Sequence, residues 1–480
     1  MEFYTDTFEF ARLALQRGMA AIYFLAFLSA LRQCQPLLGE NGLLPIPRYL
    51  KRISFKRSPS LFHGHYSDRL LLTVCWVGLT LSVVCLTGLS ETGPIWMSVL
   101  VWLTMWALYL SLVNVGQTFY GFGWESMLCE AGFFVSFLGP QTVQASFIPI
   151  LILRWMLFRT EVGAGLIKLR HDECWRNLTC LHYHYETQPL PNPLSWYFHR
   201  LPGWFHKVSV AGSHLIQLVL PFGLFAPQPV ATACAIGIIV HQLWLIVCGN
   251  YSWLNWLTLI LGFSGLGDSV LGWSGTYSAR PWGFELLLWA LAAMALWLSL
   301  EPAKNLLSKN QKMNFSHNRF RLVNSYGAFG SITKERYEVV LEGTQDPFGA
   351  DDWKEYEFIA KPGDPSRRPG QIAPYHLRLD WQMWFLPFTA SVVGDQVRVF
   401  RRQAWFSNFV VKLLEADEQV ASLLKHNPFP DQPPRYIRAR YYRYRYTTLE
   451  ERGETGDWWS RELVGNYMNP CSLKAADSKE

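Results

Sequence analysis

The sequence predicts an α-helical multi-pass membrane bundle of about nine spans, followed by a β-rich extramembrane C-terminal domain. Three observations predict it. Hydrophobic residues make up 50% of the 480 and aromatics 15%, while charged residues are only 17%, below the usual quarter. Charge is unevenly spread: residues 1–312 carry 20 of the 43 Lys and Arg and 15 of the 37 Asp and Glu. From Met313 onward, long apolar runs give way to short ones between Gly- and Pro-rich turns. Such a composition excludes a disordered or collagen-like chain. A formal charge of +6, shared between both parts, excludes a strongly basic surface, so the expected partner is the lipid bilayer and not nucleic acid.

Hydropathy places candidate spans at 10–31, 70–90, 94–113, 127–139, 144–160, 208–226, 230–248, 253–267 and 282–300. A span needs about 20 mostly apolar residues, which the second, third, sixth, seventh and ninth meet comfortably. The fourth and eighth are short, and are expected to be re-entrant, tilted or buried among the others. In the first, Arg12 and Arg17 precede an apolar run over 19–31, as in a signal peptide. Arg32-Gln33-Cys34-Gln35 follows with no small-x-small cleavage site, so the segment is expected to remain as a span.

The least ordinary membrane stretch is 154–168. Positions seven apart on a helix drift only about 20°, so Arg154, Glu161 and Lys168 fall on one stripe. Charges at membrane depth are costly and generally face a bundle interior or an aqueous cavity. Glu125 and Glu130, flanking the start of the fourth span, are available partners. The alternative is an interfacial helix end whose Arg159, Glu161 and Lys168 snorkel to water. Gly163 and Gly165 would let another backbone approach closely here.

A polar loop follows at 169–207, with Cys174, Cys180, five histidines and the run Gln188-Pro-Leu-Pro-Asn-Pro193. His182 and His184 resemble a metal pair, but Tyr183 and Tyr185 point to an interfacial aromatic turn. Without a third ligand no metal is expected. Nine cysteines with no CxxC argue against a zinc or redox centre. Cys75, Cys85, Cys129, Cys234 and Cys248 lie in apolar segments and read as small core hydrophobes. His214 and His241, within spans, read as hydrogen-bonded core residues. No hydrolase, metalloprotease, phosphate-loop or dinucleotide motif occurs, and no cofactor is expected.

In the C-terminal part, strand-like runs lie at 320–323, 337–342, 356–361, 396–400 and 436–446. Two helices are expected, near 380–388 and 405–424. Tyr442, Tyr444 and Tyr446 alternate with Arg443 and Arg445, giving one aromatic and one cationic strand face.

Several runs resemble the lipase maturation factor family: Ser111-Leu-Val-Asn-Val-Gly116, Phe122-Gly-Trp-Glu-Ser126, Gly163-Ala-Gly-Leu-Ile-Lys168 and Cys174-Trp-Arg-Asn-Leu-Thr-Cys180. So do His184-Tyr-Glu-Thr-Gln-Pro189, Asn250-Tyr-Ser-Trp-Leu-Asn-Trp-Leu257 and the thirteen residues from Asn324 to Arg336. Lys361-Pro-Gly-Asp-Pro-Ser-Arg-Arg-Pro369, Pro374-Tyr-His-Leu-Arg-Leu-Asp-Trp381 and Asn427-Pro-Phe429 extend the likeness over essentially the whole chain. The resemblance implies a multi-pass endoplasmic-reticulum membrane protein, or a plasma-membrane one in a bacterium. It would act as a chaperone or assembly factor for secreted lipases or other secreted clients. Lys168-Leu169 with Trp175 is also distantly similar to the region of vitamin K-dependent γ-carboxylases that carries their catalytic lysine. The alternative is therefore a membrane-embedded enzyme with Lys168 as base.

Composition divides the chain into a membrane domain at 1–312 and a β-rich domain at 313–480, which the resemblance makes client-facing and lumenal or external. Within the latter, Asp364, Arg367, Arg368, Asp380 and Trp381 are candidate client-binding residues, with 361–369 an exposed stiff loop presenting Arg367 and Arg368. Cys174 and Cys180, with five residues between them, are expected to close a local disulfide outside the cytosol, against the alternative of two free thiols. The basic loop 32–69 favours a cytoplasmic position, whereas the resemblance places it outside with a cytoplasmic N-terminus. Ile53, Phe55, Leu61 and Phe62, interleaved with Lys51, Arg52, Lys56 and Arg57, would let that cluster lie on the membrane surface.

Overall fold

The computed structural model describes residues 6–349, 352–394 and 396–473. Helices occupy all the stretches in which spans are expected. They are α1 Glu9–Leu38, α2 Asp68–Thr87, α3 Ile95–Val115, α4 Gly123–Val135 and α5 Phe147–Arg170. α6 Gly203–Leu218, α7 Val230–Cys248, α8 Leu254–Gly262 and α9 Trp282–Leu298 complete the helical part. Among the described residues, five helices are long and apolar enough to cross a membrane: α1, α2, α3, α7 and α9 with its continuation to Leu307.

Local chemistry sets the ends. The Ser67 side chain accepts from the Leu70 amide to start α2, and Gly88 closes it in the left-handed conformation. α1 runs unbroken through Arg32-Gln33-Cys34-Gln35. The expected span at 208–226 needs correction, because α6 stops at Leu218 and a separate turn, Leu220–Gly223, follows. Pro221 has no amide hydrogen to continue the ladder.

α5 packs against α4, α6, α8 and α9, and its Arg154, Arg159, Glu161 and Lys168 are all buried. The interfacial reading of this helix is thereby corrected: its charges are enclosed by protein instead of reaching water. The apolar surface lies on the outer helices, where Trp76 of α2 and Trp282, Trp289 and Trp297 of α9 are exposed.

Beyond the helices, β1 Arg336–Thr344, β2 Lys354–Glu355, β5 Tyr436–Tyr446 and β6 Trp459–Cys471 form an antiparallel sheet ordered β2-β1-β5-β6. β3 Ala390–Val393 and β4 Gln396–Val399 make a separate hairpin. Helix α10 spans Arg378–Phe385 and α11 spans Ala404–Leu414. Residues 320–323 are irregular and not a strand. The run at 356–361 leaves the sheet after the Tyr356 amide donates to the Leu341 carbonyl. The expected helix at 405–424 is split at Ala416, whose φ is 54°.

The sheet is covered on both faces. Val339 and Leu341 of β1 and Ile437, Ala439 and Tyr441 of β5 join the main core. Val340, Tyr444 and Tyr446 point the other way, into a cluster with Trp458, Trp459 and Trp196. Trp196 belongs to the loop 169–207, so the helical part of the chain contributes to the layer covering this face of the sheet.

Candidate functional site

The polar residues of the sequence motifs gather where the helices meet the C-terminal sheet. Glu125, in the first turn of α4, accepts from Arg378 of α10 at 2.6 Å. The Tyr109 hydroxyl donates to its other oxygen. Arg378 also donates to the Phe119 carbonyl at 2.8 Å and lies 3.5 Å over the Tyr120 ring. His376 is enclosed by Phe122, Trp124, Trp253 and Trp381. Burial pushes its imidazole down to about 4.

One turn further along α4, Glu130 is paired with Arg159 of α5. It also accepts from the Asn324 amide at 2.7 Å, the Asn324 side chain at 2.9 Å and the Tyr326 hydroxyl at 2.7 Å. Arg159 donates to the Asn324 carbonyl at 2.5 Å. Each atom of the Glu130 carboxylate therefore has a partner, as a buried charge requires.

A third junction lies at Asn250, just after α7. Its side-chain oxygen accepts from the Ile372 and Ala373 amides at 2.8 and 2.9 Å. Its nitrogen donates to the Pro191 and Gly370 carbonyls. Arg336, at the start of β1, donates to the Gln188 and Pro189 carbonyls. Arg336 and Lys361 share the buried carboxylate of Glu338. These groups fix one part of the chain on the other. Buried pairs of this kind specify an arrangement more than they add stability.

The client-binding candidates fall into two groups. Asp380 is buried and accepts from the Ala360 and Lys361 amides at 2.6 and 3.1 Å, while burial pushes its carboxyl up. Trp381 is buried against Phe122 and Trp124. Arg367 is paired with Glu357 at 3.0 Å and donates to the Phe358 and Lys361 carbonyls. The expectation that the loop presents Arg367 is corrected, because its guanidinium is used within the loop itself. Asp364 and Arg368 are exposed. Arg368 lies 5.1 Å over Trp458 and donates to the Pro193 carbonyl at 3.2 Å.

The stripe on α5 is divided. Arg154 donates to the Ser264 and Leu224 carbonyls. Glu161 and Lys168 instead line a cavity between α5, α6, α7 and α8. Lys168 donates to Gln217 at 2.8 Å and lies 4.8 Å over Trp175. On either side of Trp175 in the chain, Cys174 and Cys180 form a disulfide. His184 is hydrogen-bonded to Tyr251 at 2.9 Å, while His182 stacks edgewise on His206.

Residues 10–273 match the lipase maturation factor transmembrane domain, and residues 322–469 match the lipase maturation factor C-terminal domain. The chain belongs to the lipase maturation factor family. Lipase maturation factor 1 of Mus musculus is 39% identical over 99% of this chain and 89% of its own length. The Homo sapiens protein of that name is 40% identical over 98% and 89%. Lipase maturation factor 2 of Xenopus tropicalis is 29% identical over 95% and 82%. No solved structure matches this chain.

This member of the family is an integral membrane protein with a helical N-terminal region and a β-containing C-terminal region. Its two family segments are the two sides of the seam. Glu125, Glu130, Arg159 and Asn250 lie in the first, and Asn324, Arg336 and Arg378 in the second. Sequence reasoning missed Asn250, Asn324, Arg336, His376 and Arg378 as residues of the seam. The available signal was that all five lie inside the motif runs.

Proposed function

We propose that this protein is a membrane-bound maturation factor that assists folding and assembly of secreted lipases or similar secreted clients. The observation that carries the reading is membership of the lipase maturation factor family along nearly the whole chain. The seam supports a scaffold over a catalyst, since its buried charges are consumed by one another. Residues 313–480 are the client-facing domain and 1–312 the membrane domain. Asp364 and Arg368 remain in the contact surface because both are exposed.

The protein resides in the endoplasmic-reticulum membrane with its C-terminal domain lumenal and its N-terminus cytosolic. The Cys174–Cys180 bridge supports an oxidising environment for loop 169–207, and Trp175 within it donates to the Phe329 carbonyl of the C-terminal segment. Nine passes fit the contacts at the helix ends. At one end, Glu9 and Arg12 reach Ala145, Pro140 and Asp268. At the other, Gln33 reaches His376, Arg170 reaches Leu306 and Asn250 reaches Gly370. Five passes or nine, the number is odd, so the termini lie on opposite sides.

The test is expression with a secreted lipase in cells lacking their own family member. Restored secretion of active lipase is expected; normal levels of this protein with no gain in lipase activity would overturn the reading. Protease protection on sealed microsomes tests orientation, with tags at Met1 and Glu480. Protection of the Met1 tag and cleavage of the Glu480 tag would reverse the proposed topology.

A further inference from the structure

We propose that the cavity beside Lys168 binds a lipid with an uncharged, hydroxyl-bearing head group, such as a monoacylglycerol. This goes beyond the maturation role and requires only that α6 and α7 face the bilayer. The cavity holds about 100 Å³ and is roofed by Trp175 and Phe329. Glu161 and Lys168, two turns apart on α5, face into it, and both are at least nine-tenths buried.

The lining leaves hydrogen-bonding capacity unused. Glu161 Oε1 accepts from Gln242 at 2.6 Å, but Glu161 Oε2 and Gln242 Oε1 have no hydrogen-bond partner among the described residues. Lys168 donates to Gln217 and, as an ammonium with three N–H groups, retains donors. The site thus offers acceptors on one wall and donors on another. Opposite charges in one cavity give no net preference for an anionic or a cationic head, and the small volume excludes a zwitterionic head as large as phosphocholine. A hydroxyl both donates and accepts, so it satisfies the two walls together. At about 100 Å³ the cavity is smaller than the one of about 150 Å³ that accommodates benzene, so it takes the terminal hydroxyl end of such a head while the rest lies in the opening.

The cavity also reaches the bundle surface. Ser209 and Ser213 of α6 and Trp244 and Leu245 of α7 line it while only half-buried. Beside them Val208, Leu215, Leu243 and Val247 are exposed and apolar. An acyl chain lies in this gap between α6 and α7 while the head reaches inward.

The experiment uses the full chain in lipid nanodiscs with a photoreactive monoacylglycerol. A fatty acid and a lysophosphatidylcholine carrying the same photoreactive chain are the comparison probes. Saturable labelling of peptides from residues 203–248 is expected, at least tenfold above either comparison probe and competed by unlabelled monoacylglycerol. Ser213→Trp closes the gap without touching Glu161 or Lys168, and should lower labelling at least tenfold. A Glu161→Leu/Lys168→Met pair should do the same by making the head site apolar. Folding of each variant is checked by its melting temperature and its intact Cys174–Cys180 bridge. Equal labelling by all three probes would mean annular lipid around a water-filled cavity and overturn the proposal. So would undiminished labelling in whichever variant melts as the parent does.

Discussion

The Arg378 guanidinium lies 2.6 Å from a Glu125 carboxylate oxygen, with both side chains fully buried and 253 positions apart in the sequence. One belongs to the first turn of a helix in the transmembrane segment and the other to the C-terminal segment. The contact therefore reports directly on whether the two parts are joined.

Removing one partner of such a buried pair leaves an uncompensated charge, at a cost of about 3–5 kcal/mol. Arg378→Met should therefore lower the melting temperature in detergent and expose the C-terminal part to protease. The double variant with Glu125→Gln should recover much of the loss, because neither charge is then left alone. Equal damage from the single and double variants would show that the guanidinium acts through its stacking on Tyr120.

Gly163 of α5 faces the Tyr326 carbonyl so closely that an added Cβ would collide with backbone, which cannot rotate away. Gly163→Ala should force the segment bearing Asn324 and Tyr326 off Glu130. A loss of roughly 1–3 kcal/mol is expected, as for overpacked cores. Unchanged thermal stability in this variant would mean that the segment does not sit on α5 as described.

Stability should also fall on acidification. Burial holds the His199 and His376 imidazoles down to about 4, against 6.5 in the free side chain. The unfolded chain therefore takes up these protons first. The contribution is complete above pH 6.5 and is lost as pH falls toward 4, by up to roughly 1.4 kcal/mol per pH unit for each imidazole. Glu186 and Asp380, whose carboxyls burial pushes up, act in the opposite direction. The histidine part is isolated by comparing melting temperatures between pH 7.5 and 4.5 with those of His199→Asn. A variant with the same slope as the parent would exclude His199 from the effect.

Neighbouring arginines should behave differently. Arg367→Glu sets a carboxylate beside Glu357 and strips two carbonyls of their donor, so about 2–4 kcal/mol of stability should be lost. Arg368→Glu, at an exposed position, should leave the melting temperature within about 0.5 kcal/mol of the parent. Lower lipase activation in Arg368→Glu at normal abundance would support the contact surface; full activation would remove Arg368 from it.

Much of the helical part is legible in the sequence, because apolar runs of fixed length declare helices without reference to anything distant. Even there, Pro221 interrupts a run that hydropathy alone reads as continuous. The strands β4 and β5 show their alternation and β1 its short apolar run, whereas β6 shows neither. Its residues include Gly465, Asn466 and Pro470, and it becomes a strand by pairing along β5. The exposure expected of Arg367 has the same origin: a charged residue in a Gly- and Pro-rich loop reads as surface until its partners are known.

The sequence by itself determined that a membrane-embedded helical part precedes a β-containing one, and that its motifs are those of the lipase maturation factor family. Hydropathy and local periodicity suffice for the first, and runs of adjacent residues suffice for the second. Only the tertiary structure decided that Glu125 meets Arg378, that Glu130 gathers Arg159, Asn324 and Tyr326, and that Arg154 is parted from Lys168 on one helix. A charge has no sequence signature for its partner. The pairing is settled by which buried groups the folded chain brings within hydrogen-bond distance, since burying a charge without hydrogen bonds is costly.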